Sequence, residues 1–165
     1  MAAERTIAWT HDVSLAPALA RFFVSNVGST YISAGEVTDG RALDFAHWVP
    51  DLEAGMEGEL VAALSGTVPV RVATVLRGDV VVGVALVHWV ADARVPHAVL
   101  DDVVVGATER GQGTGHTLVE FIEAEARLAG LQTLFLESGL GNTRAHAFFE
   151  RCGFRPCSIQ MAKRL

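Results

Sequence analysis

The sequence predicts an α/β fold, and three observations carry that prediction. Two β-branched runs, Arg71–Arg77 and Val80–Val90, are joined by Gly78-Asp79, the two-residue turn of a β-hairpin. A third run, Val99–Val105, leads through a loop into a basic glycine-rich turn, Arg110, Gly111, Gln112, Gly113, Thr114 and Gly115, and then into an amphipathic segment from His116 to Ala129. Strand and helix signals also alternate along the whole chain, with no repeat, linker or low-complexity tract between them.

The elements follow in order. Thr6–Thr10 alternates as a first strand. Ser14 is placed to cap a helix that tolerates Pro17 in its first turn and carries Leu15, Leu19, Phe22 and Phe23 on one face. Gly28–Gly40, rich in glycine, serine and threonine, reads as a loop in which Tyr31 and Ile32 pack inward. A short helix around Ala42–Trp48 ends before Pro50. Another covers Leu52–Leu64, against the cost of Gly55 and Gly58. After the hairpin and Val99–Val105, the long helix ends at Gly130. Leu134–Glu137 is a strand, Thr143–Cys152 a helix and Ser158–Lys163 a closing strand.

Composition narrows the function. A chain of 165 residues, half of them apolar, has the length and core of one globular domain, residues 1–165. No apolar run approaches the ~20 residues of a membrane span. The start, MAAERTIAWT, lacks a signal-peptide pattern, so the expected location is the cytoplasm and no membrane partner is expected. The net charge of −6 lacks the basic stripe of a nucleic-acid binder, so no nucleic-acid partner is expected either. An acidic surface suits a cationic acceptor and equally suits plain solubility. Cys152 and Cys157 match no zinc spacing, and no metal site is expected; they read as small apolar fillers.

The glycine turn carries the chemistry. A strand that delivers glycines to a helix start holds phosphate: the backbone approaches an anion closely, successive N–H groups point at it, and the helix dipole adds about half a positive charge. His116-Thr117 does not supply the Lys-Ser/Thr of a nucleoside triphosphate loop. The G-x-G-x-G spacing, late in the chain and separated from its strand by a loop, also fits neither a dinucleotide fold nor a methyltransferase motif. With Arg110, Gly113 and Gly115 as fixed positions, the turn resembles the pyrophosphate signature of the GNAT N-acetyltransferase superfamily, [Q/R]-x-x-G-x-[G/A]. A second segment, Asn142 to Phe154, is similar to that superfamily's later motif, N-x-x-A-x-x-[F/Y]-[F/Y]-x-x-x-G-[F/Y], through Asn142, Ala145, Phe148, Phe149, Gly153 and Phe154.

The resemblance implies a mixed, mostly antiparallel central sheet with helices on both faces. It implies acetyl-CoA as co-substrate, its pyrophosphate held by Arg110, Gly111, Gln112, Gly113, Thr114, Gly115 and His116. It places the pantetheine arm where the Val103, Val104, Val105 strand splays from Leu134–Glu137, hydrogen-bonded by backbone groups of that strand as by an added strand. Asn142, Ala145 and Phe148 join the cofactor site.

Acyl transfer to an amine needs a neutral nucleophile, a donor for the developing oxyanion and an outlet for the thiolate. Asp101 and Asp102 open the Val103–Val105 strand, and alternation puts Asp101 on Val103's face, so Asp101 is preferred as the acid that orients the amine or relays its proton. A solvated strand entrance explains either residue equally well. Glu137 is a third acidic candidate. Glu36 and Tyr31 lie in the N-terminal loop where this superfamily builds acceptor specificity. His88, His97 and His116 read as structural. Phe148 and Phe149 stand where many members carry the tyrosine that protonates the thiolate; the thiolate then leaves unprotonated, or takes a proton from water, Ser138 or Ser158. The expected function is acetyl transfer to a primary amine of a small molecule (an aminoglycoside or other antibiotic, a polyamine or an amino-acid derivative) in a ternary complex, in a protein that can form a homodimer. A non-catalytic acyl-CoA-binding module and a toxin-type acetyltransferase of aminoacyl-tRNA are the alternatives.

Overall fold

The β-branched runs build one sheet, and the turns between them set its order. The structure, a computed structural model, describes residues 4–165. The strands are β1 (Arg5–Thr10), β2 (Val70–Arg77), β3 (Val80–Val90), β4 (His97–Val105) and β5 (Thr133–Leu136). They lie in the order β1-β2-β3-β4-β5, with β1 to β4 antiparallel and β5 parallel to β4. Gly78, at φ +60, makes the tight β2–β3 hairpin possible. Between β4 and β5 runs α4 (Thr114–Leu128), the crossover that a parallel pair requires. This is the mixed α/β sheet with helices on both faces that the sequence predicts.

Two compact units divide the chain. The first comprises residues through Val27 together with Pro50–Glu137, and holds the sheet with α1 (Ala16–Asn26), α3 (Leu52–Leu64) and α4. In α3, Leu52, Met56, Leu60, Ala63 and Leu64 are buried at helical spacing, and α3 packs on α1, where Leu19, Ala20 and Phe23 are buried. Full burial of such side chains contributes roughly 1.5–3 kcal/mol each, enough to outweigh a cost of about 1 kcal/mol for each of Gly55 and Gly58. Trp9 fastens α4 to the sheet: its Nε1 donates to Glu125 (3.1 Å) and its ring lies 5.4 Å from Phe121.

The second unit comprises Gly28–Val49 and Ser138–Leu165 and contains α2 (Ala34–Thr38) and α5 (Thr143–Arg151). A Cβ on Gly139 would overlap the carbonyl oxygen of Ile32, so only glycine permits that close backbone approach.

Several elements depart from the sequence expectation, each for a local reason. Asp12, not Ser14, is the cap at the first helix, accepting from the N–H (3.0 Å) and hydroxyl (2.6 Å) of Ser14; a 3₁₀ turn over Val13–Leu15 then precedes α1. Gly28–Gly40 is not all loop, because Ser33 and Glu36 close a capping box that starts α2. Ala42–Trp48 is not helical. Asp44 Oδ1 accepts from the N–H groups of Ala46 (2.8 Å) and His47 (2.9 Å), and this side-chain turn brings Ala42 opposite Trp48 in an antiparallel bridge. Ser158–Lys163 joins no ladder: Ile159 and Met161 have a strand's alternation but stand exposed. The filler reading also fails for Cys157, which is exposed.

Candidate active site

Among the described residues no strand pairs with the β5 side of β4 beyond Leu100, where the family resemblance implies a splay. Parallel pairing with β5 runs from His97–Thr133 to Leu100–Leu136 and stops there, because β5 ends at Leu136 while β4 continues to Val105. On the other side, Gly106 N–H donates to Val82 C=O at 3.0 Å. The two-residue period of an antiparallel ladder then turns the backbone groups of Val104 and Asp102 toward β3, and those of Val103 and Val105 toward the open edge. Val104 therefore cannot offer backbone groups there, and its side chain is buried in the core. Val105 C=O accepts weakly from Arg110 Nε (3.4 Å).

A bulge interrupts β4 at the acidic pair. Asp102 pairs with Leu86 and Leu100 with Val87, so Asp101 has no opposite residue. Burial nevertheless alternates without a break along β4, Leu100, Asp102 and Val104 being buried and Asp101 lying on the same, more exposed side as Val103. Asp101 is exposed, and Asp102 is buried at 1 % exposure. Glu137, just past the end of β5, is exposed.

The glycine turn lies at the N-terminus of α4. Gly111 (φ +78) and Gly113 (φ +82) take the left-handed conformation, and Gly113 caps the helix without any side-chain hydrogen bond. Thr117 N–H bonds back to Gly113 C=O (3.0 Å), so Thr114 and Gly115 begin the helix with N–H groups that have no intrahelical acceptor. Two of the expected cofactor contacts are committed elsewhere. Gln112 N–H donates to Glu109 C=O (3.2 Å) and its side-chain amide to Thr108 C=O (2.6 Å), which closes the turn. Arg110 donates to Asn26 C=O (2.7 Å), so its guanidinium braces the loop against the end of α1. His116 pairs with Glu120 on the exposed face of the helix (3.2 Å).

Beneath this turn lies a residue that sequence reasoning missed. Glu109 is buried, accepts from Arg77 Nε (3.0 Å) and Nη2 (2.9 Å) and from Thr114 Oγ1 (2.8 Å), and has Arg5 at 3.8 Å. The Arg77 and Thr114 hydrogen bonds hold its carboxyl below the ordinary carboxylate value of 4.5. Nothing in a single sequence pairs Glu109 with Arg77 across 32 positions. The pH consequence has a definite sign. A carboxyl lowered on folding contributes stability fully above its unfolded value, and loses it as pH falls through the folded value. The stability gap between wild type and Glu109→Gln is expected to be constant near neutrality and to close below about pH 4.5, as read by urea unfolding across pH.

In the second unit, Asn142 caps α5 through Oδ1, which accepts from Ala145 N–H (3.3 Å). Phe148 is half-buried and meets Phe149 edge-on at 4.9 Å, and Phe149 meets Phe154 at 5.6 Å. Asn142→Ala is expected to cost about 1 kcal/mol of stability, a typical cap loss, in thermal unfolding. Coenzyme A titration of the same variant tests the proposed cofactor role, which an unchanged affinity would remove. Tyr31 stacks at a tilt near Trp48 (6.2 Å). Glu36 is 7 % exposed, and its Oε2 accepts from Ser33 N–H and Oγ (2.6 Å each), so the structure gives it a capping role at the start of α2. Ser138 Oγ is buried with no hydrogen-bond partner among the described residues, whereas Ser158 is exposed.

His97 Nδ1 lies 2.9 Å from Val95 C=O and its ring sits edge-on to Phe135. Among the described residues no group of His, Cys, Asp and Glu side chains is arranged to hold a metal ion, and no helix is long and apolar enough to cross a membrane.

The fold has known counterparts. An aminoglycoside acetyltransferase from an uncultured soil metagenomic sample, solved with sisomicin, is similar over 98 % of this chain and 96 % of its own (TM-score 0.69, 16 % identity). An aminoglycoside N-acetyltransferase solved with CoA is similar over 100 % and 97 % (TM-score 0.68, 12 % identity). A ribosomal-protein-alanine N-acetyltransferase from Brucella melitensis matches over 98 % and 99 % (TM-score 0.68, 14 % identity). At these identities the likeness is one of fold. The model of the acetyltransferase (GNAT) family matches residues 42–154, from the Ala42 turn through both glycine-bearing motifs, and the chain belongs to that family.

Proposed function

We propose that the protein transfers the acetyl group of acetyl-CoA to a primary amine of a small molecule, by direct attack in a ternary complex. The observation that carries this reading is the open β4 edge leading into a glycine turn at a helix start. An extended pantetheine arm fits the backbone groups of Val103 and Val105 as an added strand would. A diphosphate fits the first-turn N–H groups of α4, beside glycines whose absent side chains leave open space. Both halves of the donor thus have acceptor and donor groups of the right kind.

Asp101 is the acid assigned to the amine. It is exposed, and it lies one residue beyond the last β4–β5 pair, where the open edge begins. Buried Asp102 has no such access. A backbone N–H on the open edge faces the thioester oxygen in this reading.

The test is an acceptor screen with acetyl-CoA that reports free thiol across aminoglycosides, polyamines, amino-acid derivatives and peptides. Steady thiol release with one amine class is the expected result. Tight acetyl-CoA binding without release on any amine would assign a binding module instead, a role that suits the absence of a tyrosine at positions 148 and 149.

A further inference from the structure

We infer that Glu109 is a positioning residue for the diphosphate of coenzyme A, acting by holding the glycine turn in its anion-binding shape; this rests on the acetyl-CoA reading above. A carboxylate in a turn that receives an anion has the wrong sign, so its presence there needs a reason. The contacts supply one. Glu109 is buried while Arg110, Gly111, Gln112 and Gly113 are exposed, so the carboxylate lies beneath the turn. It grips the first residue of α4 through Thr114 Oγ1 (2.8 Å) and the end of β2 through two bonds from Arg77. Arg5, 3.8 Å from the same carboxylate, donates to Gln112 C=O (3.0 Å) in the middle of the turn. One carboxylate therefore ties the two ends of the turn together, and two guanidinium groups against it leave a formal charge of +1 below the anion site.

Geometry and charge predict opposite signs for one substitution. Glu109→Gln makes the region more positive by one charge, which by charge alone tightens anion binding. It also places an amide NH₂ against an Arg77 donor in either amide orientation, so one of the two Arg77 bonds is lost and the carboxylate's grip loosens, which by geometry weakens anion binding. The structure favours geometry, because N–H direction decides a multidentate anion site.

The experiment titrates wild type and Glu109→Gln with coenzyme A and with pantetheine, which lacks the diphosphate, by calorimetry. The expected result is coenzyme A affinity weaker by about fivefold, the scale of one lost hydrogen bond, with pantetheine affinity unmoved. Thr114→Val, which alters no charge, is expected to weaken coenzyme A in the same selective way, and Thr114→Ser to restore it. That pair decides the matter if Glu109→Gln does not fold. Unchanged or tighter coenzyme A binding in folded Glu109→Gln overturns the inference, as does equal loss for both ligands. Wild-type protein that binds no coenzyme A overturns the parent reading before any variant is compared.

Discussion

Replacing Gly113 with valine is expected to weaken coenzyme A binding at least tenfold, about 1.4 kcal/mol. Two causes add. Gly113 holds φ +82, which a β-branched residue adopts only at a steep cost, and it is the residue from which α4 starts. A valine that relaxes to negative φ turns the first N–H groups of the helix away from the anion. No heavy atom lies within 4 Å of the position a Cβ would take, so the cost is backbone strain and not a clash; in the proposed site the added side chain fills the approach path of the ligand. Gly130→Val separates strain from function. Gly130 also has positive φ (+77) and open space around it, but it follows the other end of α4. It is expected to lose stability and keep coenzyme A affinity. Calorimetry that finds unchanged affinity in folded Gly113→Val would remove the turn from the cofactor site.

How far the sequence is legible follows from the range of each interaction. Gly78-Asp79, the β-branched runs and the apolar spacing of Leu52–Leu64 act through near neighbours, and the hairpin and α3 stand where those signals put them. The Asp44 turn and the Ser33–Glu36 capping box are equally local, and both were readable: S-x-x-E precedes α2, and a lone aspartate before a short polar-apolar run favours a side-chain turn over helix. The C-terminal tail teaches the converse. Alternation at Ile159 and Met161 records a capacity for strand, but a strand exists only with a partner, and the alternating pattern alone specifies none.

At the site, the glycine turn was legible because its chemistry is written in consecutive residues. Which amides remain for a ligand was not. Gln112 N–H closes the turn on Glu109, and Arg110 reaches back to Asn26 across 84 positions. The bulge at Asp101 was also hidden, since β4 reads as one continuous run and the extra residue shows only against β3. Such long-range pairings explain why Glu109 and Arg77, central to the turn's shape, carried no signal of their own.

The exposure of Asp101 bears on the electrostatic role proposed for it. An alkylamine has a pKa of about 10, so at pH 7 nearly all of it is ammonium and unable to attack a thioester. A carboxylate beside the amine first attracts that cation, then passes its proton to water as nitrogen bonds to carbon. An exposed aspartate can do both, because water reaches it. Asp101→Asn keeps the size and removes charge and basicity. It is expected to lower kcat/KM for the amine by roughly 10²-fold, the lower end of general-base effects, while coenzyme A affinity holds. The loss shrinks as pH rises, since free amine then forms without help; a structural defect has no reason to vary that way. Asp102→Asn, at a buried position, is expected instead to lower the unfolding temperature. Kinetics on all three carboxylates decide the assignment. A silent Asp101→Asn beside an impaired Glu137→Gln with the same pH profile moves the base to the end of β5, and silence at Asp101, Asp102 and Glu137 alike overturns general-base catalysis by these acids.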